Sequence, residues 1–217
     1  MSTSSSSFYP LLRNWRTLAF AGAFGLVVAI LVSFIQPLEY SSTTRLLITQ
    51  ELGAVDAYTA SRSAESIADS LVQVAYTSTF YDKVMASGYP VDESYFSKDD
   101  ITRRKQWTDA VSVSVSRTSG LLTVVAYHPD VTQAENLARA VAYVLSTQGW
   151  TYTSGGNIAV QIVDDPLDSR YPVRPNLPVN GLSGLVLGLL AGAGYTLLQT
   201  ERLRRRHQVF HTDENSG

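Results

Sequence analysis

The sequence predicts an α+β protein, with two transmembrane helices flanking one extracytoplasmic α/β domain whose helices pack on a small mixed sheet. Three observations predict it. Two uncharged apolar runs, 17–36 and 182–199, bracket a polar middle in the 217-residue chain. Arginines lie on the outer side of both runs, Arg13 and Arg16 before the first and Arg202, Arg204, Arg205 and Arg206 after the second. Between the runs, stretches with apolar residues at helical spacing alternate with stretches of period two.

Composition narrows the function classes. The chain has no cysteine, three histidines and a formal charge of −2, so a disulfide framework and a thiolate metal site are both ruled out. Residues 37–179 hold 11 Lys+Arg against 16 Asp+Glu, so positive charge is concentrated at the ends. By the positive-inside rule both termini are cytoplasmic, and the middle lies outside the plasma membrane. At ~1.5 Å per residue, run 17–36 covers the ~30 Å hydrocarbon core. It exceeds the ~7–15 apolar residues of a signal peptide, and Ser33-Phe-Ile-Gln-Pro-Leu-Glu contains no small-x-small cleavage site. Small residues recur every fourth position, Ala21, Gly25, Ala29 and Ser33 in the first run and Gly184, Gly188 and Gly192 in the second. Such stripes let helices pack closely in lipid, although glycine and alanine are also common in spans generally. Neither run is interrupted by an ionisable residue, which argues against a proton relay, an ion pathway or a voltage sensor.

The β-branched segment 40–49 is a strand, and 50–60 with Gly53 a loop. From Ser63, Ala64, Ile67, Ala68, Leu71, Val72 and Ala75 repeat at helical spacing, giving an amphipathic helix that continues less regularly to Gly88 and is broken or bent near Thr77-Ser-Thr. Ser97-Lys-Asp-Asp100 resembles a capping box for a short helix from Asp99 to Trp107. Val111, Val113 and Val115 alternate with serines, Arg117-Thr-Ser-Gly120 turns the chain, and 121–127 completes a hairpin. Asp130 and Gln133 suit the cap and third position of a helix with core stripe Ala134, Leu137, Ala138, Val141 and Leu145, closed by Gly149. A strand over 158–163 leads through Asp164-Asp165-Pro166 to a proline-rich lead, 168–181, in which Pro172, Pro175 and Pro178 enforce a stiff extended backbone. The expected parts are a cytoplasmic segment 1–16, a span 17–36, a domain 37–167, the lead 168–181, a span 182–199 and a cytoplasmic tail 200–217.

Several features together carry a family resemblance. They are a strand directly after the first apolar run, the Ala64-Glu-Ser-Ile-Ala helix, the Val-x-Val-x-Val strand, and Leu121-Leu-Thr-Val-Val-Ala-Tyr-His-Pro-Asp leading into Ala134-Glu-Asn-Leu-Ala. To these is added Tyr171-Pro-Val-Arg-Pro-Asn-Leu-Pro-Val-Asn180-Gly before a glycine-rich run, with Pro172, Pro175, Asn176, Pro178 and Asn180 as its motif residues. From about Trp15 to Leu198 the chain resembles the Wzz-type chain-length determinants, or polysaccharide co-polymerases. The resemblance implies an inner-membrane protein that assembles into homo-oligomeric rings. Such proteins regulate the length of O-antigen, capsular or exopolysaccharide chains beside the polymerase or export machinery, without making or breaking glycosidic bonds. The outer segment is too short for the long helical hairpin of larger members, and no phosphate-binding loop follows Gln199, so the chain looks like the short, kinase-less form. In some systems that form partners a separate cytoplasmic tyrosine kinase, which makes a kinase-activating adaptor the second expectation. A two-span channel or sensor subunit is the expectation from another class.

His207 and His211 have helical metal spacing but no third ligand, which favours a solvated tail. Asp164, Asp165 and Asp168 lack the ligand order and turn glycine of a calcium loop. The pairs Asp92/Glu93 and Asp99/Asp100 read as polar surface, with no triad or phosphate-loop signature beside them. No enzymatic activity, cofactor, metal or nucleic-acid partner is therefore expected. Trp107, Trp150 and Tyr152 are candidates for stacking on sugar, or else core edges, membrane-interface anchors or subunit contacts. Tyr9 and Trp15 suit the interfacial aromatic belt, and the arginine run 202–206 suits lipid headgroups or a docked partner.

Overall fold

The computed structural model describes residues 14–51, 57–116, 121–152 and 157–212. In chain order its elements are α1 (Trp15–Ile35), β1 (Tyr40–Glu51), α2 (Ala57–Ala75), α3 (Ser78–Met85), α4 (Asp100–Ala110), β2 (Val111–Ser116), β3 (Leu121–His128), α5 (Val131–Gln148), β4 (Asn157–Asp168) and α6 (Leu177–Thr212). Two units divide the chain: Leu38–Arg174, and Met1–Pro37 together with Pro175–Gly217.

The first unit is a four-stranded sheet in the order β2-β3-β1-β4, with every pairing antiparallel. The expected mixed sheet is corrected by this topology. β1 and β2 do run parallel, as do β3 and β4, but β3 lies between the first pair and β1 between the second. The helical crossovers each step over a strand, which is the split βαβ, ferredoxin-like arrangement.

Alternation along the strands decides the buried face. Leu46 and Ile48 of β1, Val111 and Val113 of β2, and Leu122 and Val124 of β3 all point into the core. They meet Leu71 and Ala75 of α2 and Leu137, Val141 and Leu145 of α5. The serines of β2 take the opposite face, as the period-two pattern requires. Trp107 is 1% exposed, its indole N–H donates to the Ala75 carbonyl at 2.8 Å, and its ring lies edge-on to Tyr81 at 5.3 Å. It is therefore a core residue and cannot stack on a sugar. The side chains of Trp150 and Tyr152 lie outside the described residues.

Several boundaries move for identifiable reasons. The helix expected from Ser63 to Gly88 begins at Ala57 and breaks at Tyr76-Thr77, where the Thr77 hydroxyl caps α3 by accepting from the Phe80 amide at 3.3 Å. Asp99, not Ser97, caps α4, accepting from the Thr102 amide at 2.9 Å; this bond holds its carboxyl below the usual range. Asp130 caps α5 as expected, through the Gln133 amide at 3.0 Å. The Gln133 side chain instead accepts from the Asp92 amide at 2.9 Å. Gly149 closes α5 as expected, its amide donating to the Leu145 carbonyl, and a 3-10 turn over Gly149–Tyr152 follows. β4 runs on to Asp168, past the expected stop at Val163, because Thr44 Oγ1 donates to the Asp164 carbonyl at 2.7 Å across a bulge in the β1–β4 register. As an edge strand it tolerates Pro166, and Asp164 and Asp165 discourage further pairing. Of the expected loop 50–60, residues 50–51 instead extend β1 and 57–60 open α2, and 52–56 lie outside the described residues, as do the hairpin turn 117–120 and the Gly155-Gly156 loop.

Replacing Trp107 by alanine is expected to destabilise the domain by about 3–5 kcal/mol through the cavity and the lost indole bond. Urea unfolding of the purified full chain followed by tyrosine fluorescence measures it, and a change below ~1 kcal/mol would show that the site collapses around the loss.

Candidate functional site: the paired chain exits and the helix seam

β1 and β4 are sheet neighbours, so the chain enters and leaves the folded unit through adjacent strands. Beyond the ladder the pairing continues. The Ser169 amide donates to the Ser41 carbonyl at 2.7 Å, the Val173 amide to the Glu39 carbonyl at 2.8 Å, and the Glu39 amide to the Arg174 carbonyl at 3.0 Å. Arg174 closes this exit. Its Nη1 lies 3.2 Å from Glu39 Oε2 and 2.8 Å from the Asp109 carbonyl, and its guanidinium carbon is 3.6 Å from the centroid of the Tyr127 ring. A planar cation with several donors suits this combination of ring stacking and two acceptors, and an ammonium would not. Tyr95 lies in the same electrostatic neighbourhood. Burial pushes its hydroxyl above the ordinary value, and the Glu39 carboxylate adds to the rise.

The proline-rich lead expected over 168–181 is therefore not one extended segment. Residues 169–174 belong to the folded unit through the bonds just described. From Asn176 the chain is helical, since Asn176 Oδ1 accepts from the Val179 amide at 3.3 Å and α6 starts at Leu177. Pro178 sits in the first turn, where a helix has no use for the missing N–H. Pro172 and Pro175 flank Arg174, one on each side.

The second unit pairs α1 with α6 along the small residues. Asn180 Nδ2 donates to Ser33 Oγ at 2.9 Å, and Ser33 Oγ donates to the Ala29 carbonyl at 2.9 Å. A Cβ placed on Gly184 would lie 2.5 Å from the Gly25 carbonyl oxygen and collide with the Ala29 methyl. One on Gly25 would meet the Gly188 Cα at 2.9 Å, and one on Gly192 the Ala21 Cβ at 2.7 Å. The partners are thus Ser33/Asn180, Ala29/Gly184, Gly25/Gly188 and Ala21/Gly192. Each step of four along one helix matches a step of four back along the other, so the helices run antiparallel in fixed register. Asn180 is the seam member that the glycine pattern did not show. The outer faces are apolar and bare, with Phe20, Phe24, Phe34, Ile35, Leu187 and Leu190 all exposed. Both helices are long and apolar enough to cross a membrane, and neither is wrapped in protein as the core helix of a soluble domain would be.

The arginines divide by position. Arg16 is exposed, with its guanidinium carbon 5.9 Å from the Trp15 ring. Arg202 is exposed on α6, which continues through the backbone of Arg204, Arg205 and Arg206 to Thr212. The side chains of those three, with His207 and His211, and all of Tyr9 and Arg13, lie outside the described residues. Among the described residues no group of three His, Cys, Asp or Glu could hold a metal ion, and Asp164 is paired with Arg45 at 3.3 Å.

No protein-family model matches the chain, and no curated protein matches it in sequence.

Two substitutions test the geometry. Gly184→Leu forces the seam apart at a cost of about 1–3 kcal/mol. In the otherwise cysteine-free chain, an Ile30→Cys/Gly181→Cys pair spans a contact of 3.8 Å and should oxidise readily in membranes. Its intramolecular yield should fall when Gly184→Leu is added, and an undiminished yield would mean that the glycines do not set the helix separation. For the exit, Arg174→Met removes the half-exposed ion pair and the ring contact, together worth about 1–2 kcal/mol. Amide exchange at Glu39 and Val173 should accelerate severalfold while that of β3 stays unchanged; equal rates would make Arg174 a bystander.

Proposed function

We propose that the chain is a non-enzymatic two-span membrane regulator of polysaccharide chain length, polymerisation or export, of the kind its sequence resembles in the Wzz-type co-polymerases. One observation carries the reading: a single α+β unit whose first and last strands are neighbours, with both chain exits leading directly into apolar helices that pair along a backbone-to-backbone seam. Under this reading the termini are cytoplasmic and the α+β unit faces away from the cytoplasm, as the arginine distribution favours. The apolar runs 17–36 and 182–199 carry no ionisable residue and their helices pack backbone to backbone along the small residues, which weighs against a channel subunit. The domain acts by holding its stance on the membrane and associating with further copies and with the polymerase or export machinery.

A second reading is favoured by the continuation of α6 past its apolar part. The sequence of this continuation includes Arg202, Arg204, Arg205 and Arg206, a run of positive charge suited to docking of a cytoplasmic tyrosine kinase.

Deletion of the gene, with surface glycans resolved by gel, tests the main reading. The expected result is a changed length distribution or amount, restored by the wild-type chain and not by Arg174→Met. An unchanged glycan profile after deletion would dismiss it. Loss of kinase phosphorylation with normal glycan length would move the assignment to the adaptor.

A further inference from the structure

We propose that the outer face of α4 is a docking surface for anionic lipid headgroups, built from Ile101, Arg104, Lys105 and Thr108. The inference rests on the two-span reading above and names a lipid contact for the folded unit itself. Residues 103–105 are a run of three positive charges within a segment where acids outnumber bases. They are not equivalent. Arg103 is tied to Asp100 at 2.6 Å and lies over the Tyr81 ring at 5.3 Å, so it belongs to the domain. Arg104 and Lys105 are exposed, and among the described residues neither side chain has an ion-pair or hydrogen-bond partner. Ile101 stands one turn away at 83% exposure, on a helix whose other apolar residues, Trp107 and Ala110, are buried. Spacing of three and four residues puts Ile101, Arg104, Lys105 and Thr108 on one helical face. With Ser78 they line an open groove of about 570 Å³. Its acids are Asp100, already neutralised by Arg103, and Asp109 at the far end.

An apolar side chain beside two unpaired cations is the pattern by which a helix lies on a charged lipid surface, the cations meeting phosphates and the isoleucine entering the acyl boundary. Chain connectivity favours lipid over other anions. The Asp109 carbonyl at the end of α4 accepts from Arg174 at 2.8 Å. Only Pro175 and Asn176 separate Arg174 from the start of α6 in sequence, so on the two-span reading the folded unit is tethered to a bilayer by a short link.

The test uses the full chain in lipid nanodiscs. Because the chain has no cysteine, Thr108→Cys provides a single attachment point for an environment-sensitive dye. In phosphatidylcholine discs containing about a quarter phosphatidylglycerol, dye emission should shift to the blue relative to pure phosphatidylcholine, and the shift should vanish at ~1 M salt. Arg104→Ala and Lys105→Ala should each lower the docked-to-free ratio about fivefold. Both are exposed, so the unfolding midpoint should be unchanged. Equal emission in neutral and anionic discs overturns the proposal and leaves the two-span reading intact. A chain that does not enter discs at all overturns both. The same shift on adding inorganic phosphate to neutral discs would reassign the groove to a free anion, and a shift with soluble hyaluronate but not with phosphatidylglycerol would reassign it to an acidic glycan.

Discussion

The adjacency of β1 and β4 is the constraint on which the rest of the structure depends. When the first and last strands of a unit are neighbours and antiparallel, the chain enters and leaves at the same end of the sheet. In this sheet the remaining strands lie on the far side of β1, with β3 next to it and β2 outside. Both helical crossovers therefore step over a strand, and no parallel pairing forms. The exit bonds of Ser41, Glu39 and Val173 extend this pairing past the last regular strand residue. Arg174 ends it with three kinds of contact on one guanidinium, to a carboxylate, a carbonyl and an aromatic ring.

The helix pair solves a different problem. Two apolar helices in lipid gain nothing from burying apolar surface against each other, so close packing and hydrogen bonds must hold them. Glycine and alanine at every fourth position provide the packing, because without larger side chains the backbones themselves touch. Asn180 and Ser33 add a polar contact at one end of the seam, and the Ser33 hydroxyl passes the bond on to the Ala29 carbonyl. A polar pair of this kind penalises a slip of the helices by one turn, which the repeating small residues alone would tolerate.

α4 shows how one short helix serves two surfaces. Its inner side is committed to the core through Trp107 and Ala110, and its end is fastened to the chain exit through the Asp109 carbonyl. The outer side keeps two cations and an isoleucine without intramolecular use.

Much of this was legible in the sequence, because the relevant physics is local. Runs of uncharged apolar residues determine two candidate spans, period-two valines determine the hairpin and its buried face, and Asp130 with Gln133 determines where α5 begins. The small-residue stripes identified the correct face of each helix for the same reason, since spacing of four is a property of one helix. What only the tertiary structure decided involves partners distant in sequence. Arg174 lies among prolines and looks like part of a spacer until Glu39, Asp109 and Tyr127 are brought to it. Asn180 looks like part of the proline-rich motif until Ser33 stands opposite, and Trp107 like the exposed end of a short helix until Ala75 accepts its indole proton. The all-antiparallel sheet also escapes local reading, because period and propensity are the same for either strand direction, and direction is decided only by which strand lies beside which.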